Sequence, residues 1–372
     1  MKDMVCDSSS RAYHRADTAP TSGAVGFSFS PLYADVLSSM ARQLTRRPVV
    51  PVVIFALAAL GVVRFYEATP APTAPFAHVG LTAGPSINAF GRSREVRLQF
   101  ALPGAELEFP LEVTGDPSSL SYEWVPTRET ASAEPSRLVK GAAFVAPSKP
   151  GFYRLVISRG ADRQVITEPT LAVLVPFKQR VGGFLNGYRI GTYLADRFSS
   201  HDHPDGFLEV SPEDIDLQVS THLRLGDFLT HDTQGEVWPK YVALNPRLLD
   251  KLELVLAKVG SQARFSRGAA LRETDVALDV HSGFRTPAHN AGVWSAAQDS
   301  RHQYGDAADV AIDANGDGRL TASDERLVTQ AVDQVEDEHP DLVGGLGIYT
   351  SGRYRTPYVH IDARGVRSRW KG

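Results

Sequence analysis

The last third of the chain is organised around the segment Ser300-Arg-His-Gln-Tyr-Gly-Asp-Ala-Ala-Asp-Val-Ala-Ile312. Gly305 interrupts regular structure inside it, which argues against one continuous helix and predicts a loop followed by a strand. Apolar residues alternate with Asp309 in that strand, so the aspartate faces away from them. His302 lies seven residues before Asp309, and a loop that leads into a strand would bring both side chains to a common edge.

A second short strand near the C-terminus reads Tyr358-Val-His-Ile-Asp362. Its two inner apolar residues can face the core while His360 points into a cleft. Together with His302 and Asp309, this histidine can supply three ligands to zinc, because imidazole and carboxylate both suit that ion. Three protein ligands leave a fourth position for water, which is the ligand count of a catalytic zinc site rather than of a closed structural one.

The composition narrows the class of protein. The chain has 372 residues, of which 42% are hydrophobic and 22% charged, as in ordinary globular proteins. This length is enough for two or more domains of roughly 100–200 residues each. The net charge of −4 gives no electrostatic reason to expect nucleic acid as a partner. Because Cys6 is the single cysteine, neither an intrachain disulfide nor a cysteine-based zinc site can form.

An apolar run near the N-terminus predicts attachment to a membrane. Residues 48–63 carry no charge, and three arginines precede them. The run is slightly shorter than the roughly 20 residues that cross a bilayer, yet long for a signal-peptide core, and no clear cleavage site follows. Basic residues upstream favour a cytoplasmic N-terminus, so we expect an inner-membrane anchor with periplasmic C-terminal domains. A cleaved signal peptide is the close alternative, a buried core helix is a third, and Met40 competes with Met1 as the true start.

The sequence after this run predicts a linker, an all-β region and a final domain. The linker is rich in Pro and Ala. Short segments with two-residue alternation, separated by Pro, Gly and Ser clusters, predict an immunoglobulin-like sandwich that serves as a spacer or docking module. The predicted boundaries are a cytoplasmic or disordered N-terminus at 1–47, the membrane or signal segment at 48–64, the linker at 65–76, the sandwich at 77–176, a connecting segment at 177–218, and the final domain at 219–372.

Two helices are predicted in the final domain. Apolar side chains recur at helical spacing across residues 244–259, and Pro246 lies where a first helical turn tolerates proline. The second helix is predicted from Ala322 to Glu338. Besides the strand that carries Asp309, strands are predicted at 275–281, 346–349 and 358–361.

Several motifs of the final domain occur together in one order. They resemble the zinc D-alanyl-D-alanine carboxypeptidase family, which belongs to a wider group of peptidoglycan-cleaving metallopeptidases. The resemblance covers roughly residues 215–372 and implies an α+β catalytic domain, with an antiparallel sheet and helices packed on one side. It also implies that His302, Asp309 and His360 are the zinc ligands. The motifs that carry it are Ser282-Gly-Phe-Arg-Thr-Pro287 with Asn290, Ser300-Arg-His302, Gly305-x-Ala307-x-Asp309, Gly344-Gly-Leu-Gly-Ile-Tyr349 and Tyr358-Val-His-Ile-Asp362.

The resemblance suggests two further functional residues. Arg285 matches an arginine that stabilises negative charge near the scissile carbonyl; the alternative is a salt bridge that fixes its loop. Many family members carry an acidic general base three residues before the last zinc histidine, where this chain has Pro357. Asp362 is the nearest carboxylate in sequence and lies on the same strand face as His360. It is either the base or a partner that holds the histidine.

The implied function is hydrolysis of peptidoglycan stem peptides or cross-links by a zinc peptidase at the cell envelope. Whether it acts as a D,D-carboxypeptidase or as an endopeptidase depends on loops that close or open the cleft. Because of Pro357, the alternative is a non-catalytic domain, stabilised by zinc and calcium, that binds cell-wall peptide or another protein.

A calcium site is predicted directly after the Asp309 strand. The segment Asp313-Ala-Asn-Gly-Asp-Gly-Arg-Leu-Thr-Ala-Ser-Asp324 matches an EF-hand loop. An aspartate replaces the usual final glutamate, as in dockerin-like loops, and the alternative is a polar turn without metal. Since the loop begins four residues after Asp309, calcium would stiffen the strand that delivers a zinc ligand. The expected ligands are side-chain oxygens of Asp313, Asn315, Asp317 and Asp324 and the main-chain carbonyl of Arg319.

Overall fold

A mixed α/β structure with several sheets and few helices is formed by the described residues. The N-terminus, the membrane segment and the linker predicted at 1–76 lie outside these residues. Among the helices that the structure describes, none is both long and apolar enough to cross a membrane. Within the unit Pro72–Gly372, the computed structural model describes residues 77–79, 91–107, 111–113, 119–128, 136–137, 144–267, 278–294, 296–350 and 356–372.

The described α-helices are α1 (Pro246–Arg267), α2 (Pro287–Asn290) and α3 (Ala322–Glu338). Short 3-10 helices cover Phe177–Gln179, Leu194–Asp196, Pro212–Asp214, Leu225–Phe228, Arg301–Tyr304 and Pro340–Leu342. The strands are β1 (Ala77–Val79), β2 (Leu98–Ala101), β3 (Glu106–Leu107), β4 (Leu111–Val113), β5 (Ser121–Pro126), β6 (Ser136–Arg137), β7 (Phe144–Val145), β8 (Gly151–Arg159), β9 (Asp162–Val173), β10 (Val175–Pro176), β11 (Phe184–Leu185), β12 (Tyr188–Arg189), β13 (Gly206–Val210), β14 (Lys240–Val242), β15 (Leu278–Ser282), β16 (Ala307–Ile312), β17 (Gly345–Tyr349), β18 (Tyr358–Asp362) and β19 (Ser368–Lys371).

The first large sheet has the strand order β2-β9-β8-β5-β6 and is built on the long antiparallel hairpin of β8 and β9. Side chains alternate between its faces, so that Leu155 and Leu171 enter one hydrophobic cluster whereas Phe152 and Ala172 enter another. The short pair of β3 and β7 adds Phe144 to the first of these clusters. One face of the sheet is therefore covered by side chains from the same part of the chain, between Ala101 and Val173.

The other face joins the C-terminal half of the molecule. Leu98 from β2 and Leu248 from α1 belong to one hydrophobic cluster. Asp250 of α1 accepts hydrogen bonds from the main-chain N–H groups of Arg92 and Ser93, each at 2.7 Å. Burial of apolar surface stabilises by roughly 25 cal/mol per Å², so the shared cluster ties the two regions together. The region interpreted from sequence as a spacer or docking module thus shares a core with the domain that follows it.

The second large sheet has the strand order β15-β16-β18-β17-β19. Its first four strands pair antiparallel, and β19 runs parallel to β17. Val310 of β16 and Val359 of β18 face the core, together with Val328 and Val332 of α3. Because side chains alternate along a strand, the residues between them emerge on the opposite face, away from the helices.

A buried ion pair connects both long helices to the end of β18. Lys251 of α1 and Glu336 of α3 are fully buried, and the Nζ–Oε1 distance is 2.8 Å. Lys251 Nζ also donates to the main-chain carbonyl of Asp362 at 2.7 Å, and the same Glu336 oxygen accepts from Gly344 N–H at 3.0 Å. Loss of one partner would leave a buried charge unpaired, which costs about 3–5 kcal/mol. The pair therefore fixes the position of the strand end that carries Asp362.

Candidate metal centre

Three side chains converge on the face of the second large sheet that lies opposite the helices. Asp309 and His360 are directly paired in the register of β16 and β18, and such antiparallel pairs bring side chains together. His302 comes from the 3-10 helix before β16, and Gly305, with a φ of 71°, caps the C-terminal end of this helix. A side chain at Gly305 would overlap the carbonyl of Ala243. The glycine therefore permits the sharp turn that carries the chain from His302 into β16.

The ligand atoms of these residues form a small triangle. His302 Nε2 lies 3.2 Å from Asp309 Oδ1 and 3.1 Å from His360 Nδ1, and His360 Nδ1 lies 2.9 Å from Asp309 Oδ1. Within the described ranges, this is the one group of three or more His, Cys, Asp or Glu residues whose ligand atoms all lie within 4.8 Å. Around a tetrahedral ion with bonds of about 2.0–2.2 Å, ligand atoms lie roughly 3.3–3.6 Å apart. A slight expansion of the triangle would therefore admit zinc.

The outer nitrogen of each histidine has its own partner. His302 Nδ1 lies 2.7 Å from the carbonyl oxygen of Gly283, which can only accept, so this nitrogen carries the hydrogen. His360 Nε2 lies 3.2 Å from Asp362 Oδ2 and donates in the same way. When both rings are neutral, the inner nitrogens, His302 Nε2 and His360 Nδ1, carry the lone pairs, and these point at one another and at Asp309. Proteins hold metal-binding histidines by such outer hydrogen bonds.

Burial and mutual contacts set the charge of the cluster. Burial lowers the pKa of His302, which favours a neutral ring. For Asp309, burial alone would raise the pKa, but the charges and hydrogen bonds of His302 and His360 outweigh it and hold the pKa of this carboxyl well below its usual range. Neutral imidazole and ionised carboxylate are the forms that bind zinc. Burial alone would lower the pKa of His360, but its hydrogen bonds to Asp309 and Asp362 outweigh burial and raise it, so this ring would have to release a proton for zinc to bind. The donor set itself, two imidazoles and a carboxylate, fits the ion that the sequence predicts.

Arg285 lies at the edge of the cluster and binds one of its members. Its Nη2 donates to Asp309 Oδ2, and its Nε donates to Ser282 Oγ at 2.7 Å. The carboxylate of Asp309 thus has one oxygen toward the histidines and the other toward the guanidinium. Arg285 Nη1 has no hydrogen-bond partner among the described residues. Arg285 therefore forms a salt bridge, as one predicted role requires, and it also keeps a free N–H donor, which the other predicted role, stabilisation of negative charge near the scissile carbonyl, requires.

Asp362 does not lie where a general base would act. Its Oδ2 contacts His360 Nε2, the nitrogen that faces away from Asp309 and His302. Its other oxygen accepts from the main-chain N–H of Gly345 at 2.7 Å, and Arg364 donates to both oxygens. Burial would raise the pKa of Asp362, but these hydrogen bonds hold it far below its usual range. This geometry is that of a partner that orients the imidazole, so the structure favours the second of the two roles raised by the sequence.

Other residues around the cluster were not found from the sequence. Trp370 of β19 lies with its ring centroid 5.1 Å from that of His360, and its indole packs where a side chain at Gly347 would be. Side chains at Gly344 or Gly345 would overlap Asp362. The repeated glycines of the Gly344–Tyr349 motif were a usable signal, since a glycine inside a strand often marks a close approach of another group.

The predicted calcium residues fold into one loop between β16 and α3. The two carboxylate oxygens of Asp313 accept main-chain hydrogen bonds from Asp317 at 3.1 Å and from Gly318 at 2.7 Å. Asn315 Oδ1 accepts from Asp317 N–H, and Asp317 Oδ1 accepts from Arg319 N–H, both at 2.9 Å. The loop is thus held in shape by hydrogen bonds that its own backbone N–H groups donate to its side-chain oxygens.

Asp324 closes the loop and lies in the first turn of α3. One carboxylate oxygen accepts from Asn315 N–H at 3.0 Å, and the other accepts from Thr321 N–H at 2.9 Å as part of a capping box. The next residue, Glu325, is buried, burial raises its pKa, and its Oε1 has no hydrogen-bond partner in the described part of the chain. The loop carboxylates do not converge as closely as the His302 group does, since that group alone was found among the described residues.

No family model matches the chain, no curated protein is significantly similar to it, and no solved structure is either.

Proposed function

We propose that the chain is a zinc-dependent peptidase that hydrolyses peptide bonds in peptidoglycan stem peptides or cross-links, as a D,D-carboxypeptidase or an endopeptidase. The observation that carries the proposal is the triangle of His302 Nε2, Asp309 Oδ1 and His360 Nδ1, in which both outer histidine nitrogens are already occupied. Three donors on one side of an ion leave a position for water and substrate. The motif resemblance supplies the substrate class.

The residues of the site would divide the work as follows. The inner atoms of His302, Asp309 and His360 would hold zinc, which when bound polarises a carbonyl and lowers the pKa of water toward about 7. Asp362 keeps the His360 ring in the orientation that presents Nδ1. The Nη1 group of Arg285 would donate to the oxygen of the scissile carbonyl as negative charge develops there.

A second candidate function is favoured by the lack of an assigned general base. Pro357 has no proton-accepting side chain, and Asp362 lies behind His360. Among the described residues, neither position raised by the sequence therefore supplies a proton acceptor beside the three ligand atoms. The second candidate is a non-catalytic domain, stabilised by zinc and calcium, that binds cell-wall peptide or another protein.

The proposed function also implies a cellular location for the protein and a role for each of its two large sheets. An inner-membrane anchor at 48–64 would place the described residues in the periplasm, where peptidoglycan lies; a cleaved signal peptide would leave them there as well. The second large sheet with α1 and α3 on one face would be the α+β catalytic domain. The first sheet would be the sandwich-like region, joined to the catalytic domain by the shared hydrophobic cluster.

We also propose that the Asp313–Asp324 loop binds calcium. What supports it is the match to the EF-hand pattern and the loop shape already held by internal hydrogen bonds. Carboxylate oxygens have a second lone pair each, so these bonds leave acceptors for a cation. Calcium at this place would stiffen the end of β16, four residues after Asp309.

The experiment that tests the peptidase uses full-length protein in mild detergent with purified peptidoglycan. We expect wild type to release soluble peptides, chelator to abolish release, and added zinc to restore it. His302→Ala should release none, whereas His339→Ala, a matched change at the end of α3, should behave as wild type. Identical release profiles from all five samples would exclude hydrolysis. Zinc bound at one equivalent without any release would support the non-catalytic candidate.

A further inference from the structure

A cavity lies between the hairpin of β11 and β12 and the strands β10 and β13. Its volume is about 480 Å³, which is within the roughly 300–1,000 Å³ of cavities that bind small molecules. None of the three residues of the metal cluster lines it. Two of its apolar lining residues, Val181 and Phe184, are 80% and 44% exposed. Five of its nine lining residues are apolar, namely Pro150, Val175, Val181, Phe184 and Leu185.

A chain of hydrogen bonds fixes the polar part of the cavity wall. The hydroxyl of Tyr241, a fully buried residue, lies 2.8 Å from Glu209 Oε2 and 2.6 Å from Asn186 Nδ2. An ionised carboxylate can only accept, so the hydroxyl donates its hydrogen to Glu209 and accepts from the amide of Asn186. This direction settles which end of that amide is the oxygen. Asn186 Oδ1 and Glu209 Oε1 are left without a hydrogen-bond partner among the described residues.

Glu209 therefore brings a negative charge to the cavity. Its carboxylate forms no ion pair with any residue that the structure describes. Oε1 is accessible to solvent, since it is not among the fully buried atoms that lack a partner. A charge beside apolar walls attracts an opposite charge more strongly than it would in bulk water, because the effective dielectric constant is lower. The cavity thus favours a ligand with a positive charge.

An alkylammonium group fits these neighbours better than a metal ion does. An ammonium group has three donors and no acceptor, and both Glu209 Oε1 and Asn186 Oδ1 are acceptors. The alkyl chain that carries the ammonium would be removed from water against the apolar lining residues, which is favourable. Calcium, in contrast, takes about six to eight oxygen ligands, and Glu209 is the single carboxylate that lines this cavity.

We propose that this cavity binds an ammonium group carried on an alkyl chain. The ammonium pairs with Glu209 Oε1 and donates to Asn186 Oδ1, and the alkyl chain lies against apolar lining residues such as Phe184 and Leu185. A lysine side chain of a peptide and a free alkylamine share this chemistry. The proposal does not depend on the proposed peptidase function, because it uses no residue of the metal cluster.

Ligand-observed saturation-transfer NMR with full-length protein in mild detergent tests the proposal. The probes are Nα-acetyl-lysine methylamide, n-butylamine and Nα-acetyl-norleucine methylamide, which keeps the alkyl chain of lysine but lacks the ammonium group. We expect the lysine compound to bind saturably and the norleucine compound to bind at least about tenfold more weakly. Tighter binding of the lysine compound than of n-butylamine would identify a peptide side chain as the ligand, and equal affinity would identify a free amine.

Variants locate the binding in the cavity. Glu209→Gln keeps the size of the side chain and should weaken binding of the lysine compound by about tenfold. Glu213→Gln, at an exposed glutamate outside the cavity, should leave the affinity unchanged. Asn186→Gly should weaken binding by about threefold, and glycine suits the φ of 45° at this position. The thermal unfolding of each variant is measured alongside.

Two results would overturn the proposal. One is equal affinity for the lysine and norleucine compounds, because the ammonium group would then contribute nothing. The other is an affinity for the lysine compound that Glu209→Gln leaves unchanged, because the ammonium group would then bind elsewhere on the protein. Absence of saturable binding of both amines to the wild type would overturn it as well. None of these results would affect the release of peptides from peptidoglycan.

Discussion

The Asp313–Asp324 loop begins four residues after Asp309, yet this loop and the cluster of His302, Asp309 and His360 are organised in opposite ways. In the cluster, the outer atoms of His302 and His360 are bound by the rest of the protein, and the inner atoms converge. In the loop, the side-chain oxygens bind the loop's own backbone. In the first arrangement, lone pairs lie close together, and a bound cation would reduce the repulsion between them. The second is a loop that holds its shape by itself. We therefore expect metal binding to have a much larger effect at the cluster than at the Asp313–Asp324 loop.

The largest effect is expected from Asp309→Asn. The change keeps the shape of the side chain but removes the charge that faces both histidines and Arg285. Loss of a partner behind a ligand costs about 10–100-fold in metal affinity, so loss of a ligand charge should exceed about hundredfold. Competition titration with a zinc indicator measures it. Asp317→Asn in the loop is the matched control, and an equal drop in zinc affinity there would contradict the distinction between the two sites.

Arg285→Lys separates the two roles of this arginine. Lysine keeps a charge for Asp309 but lacks the planar fork. If Nη1 stabilises the developing oxyanion, kcat should fall by about 10²–10³-fold while zinc content stays at one equivalent. Steady-state kinetics on peptidoglycan fragments, with metal analysis of the same samples, gives both values. An unchanged kcat would reduce Arg285 to the salt bridge with Asp309.

Asp362→Asn tests the role that the structure favours for this residue. As a partner of His360, its loss of charge should weaken zinc binding by about 10–100-fold. At saturating zinc, much of kcat should return. A general base would behave in the reverse manner, with zinc affinity intact and kcat low at every zinc concentration. Measuring kcat across a zinc titration therefore distinguishes the two.

The smallest effect is expected at the loop. One millimolar calcium should raise the midpoint of thermal unfolding by about 1–2 °C, the shift that roughly 1 kcal/mol gives in a protein of this size. Asp317→Asn should abolish the shift and leave zinc binding as it was. A calcium-independent unfolding temperature in wild type would identify the segment as a polar turn without metal.

Local features of the second large sheet were predictable from the sequence. The helix predicted from Ala322 to Glu338 has these bounds in α3, because Thr321 and Asp324 form a capping box at its start. Helix α1 begins at Pro246, two residues after the predicted start at residue 244, and continues past the predicted end at residue 259 to Arg267. The alternation of apolar residues correctly placed Asp309 and His360 away from the core face, since that depends on strand geometry alone.

Features that depend on distant parts of the chain were not predictable in this way. The sequence could not show that His360 turns its Nε2 to Asp362, because the ring orientation depends on Gly345 and Arg364 holding that carboxylate. Nor could it show that Leu98 of the first sheet shares a cluster with α1. Both outcomes depend on contacts between residues far apart in sequence, which periodicity does not report.

The site requires that positions 344 and 345, both glycine, carry no side chain. A methyl group at either position would collide with Asp362 and push on the carboxylate that steers the His360 ring. Such a variant would keep every ligand, every charge and every residue of the cleft, and it would still bind metal poorly. Changes at these two positions would therefore look harmless in an inventory of the site residues and still weaken the affinity of the site for metal.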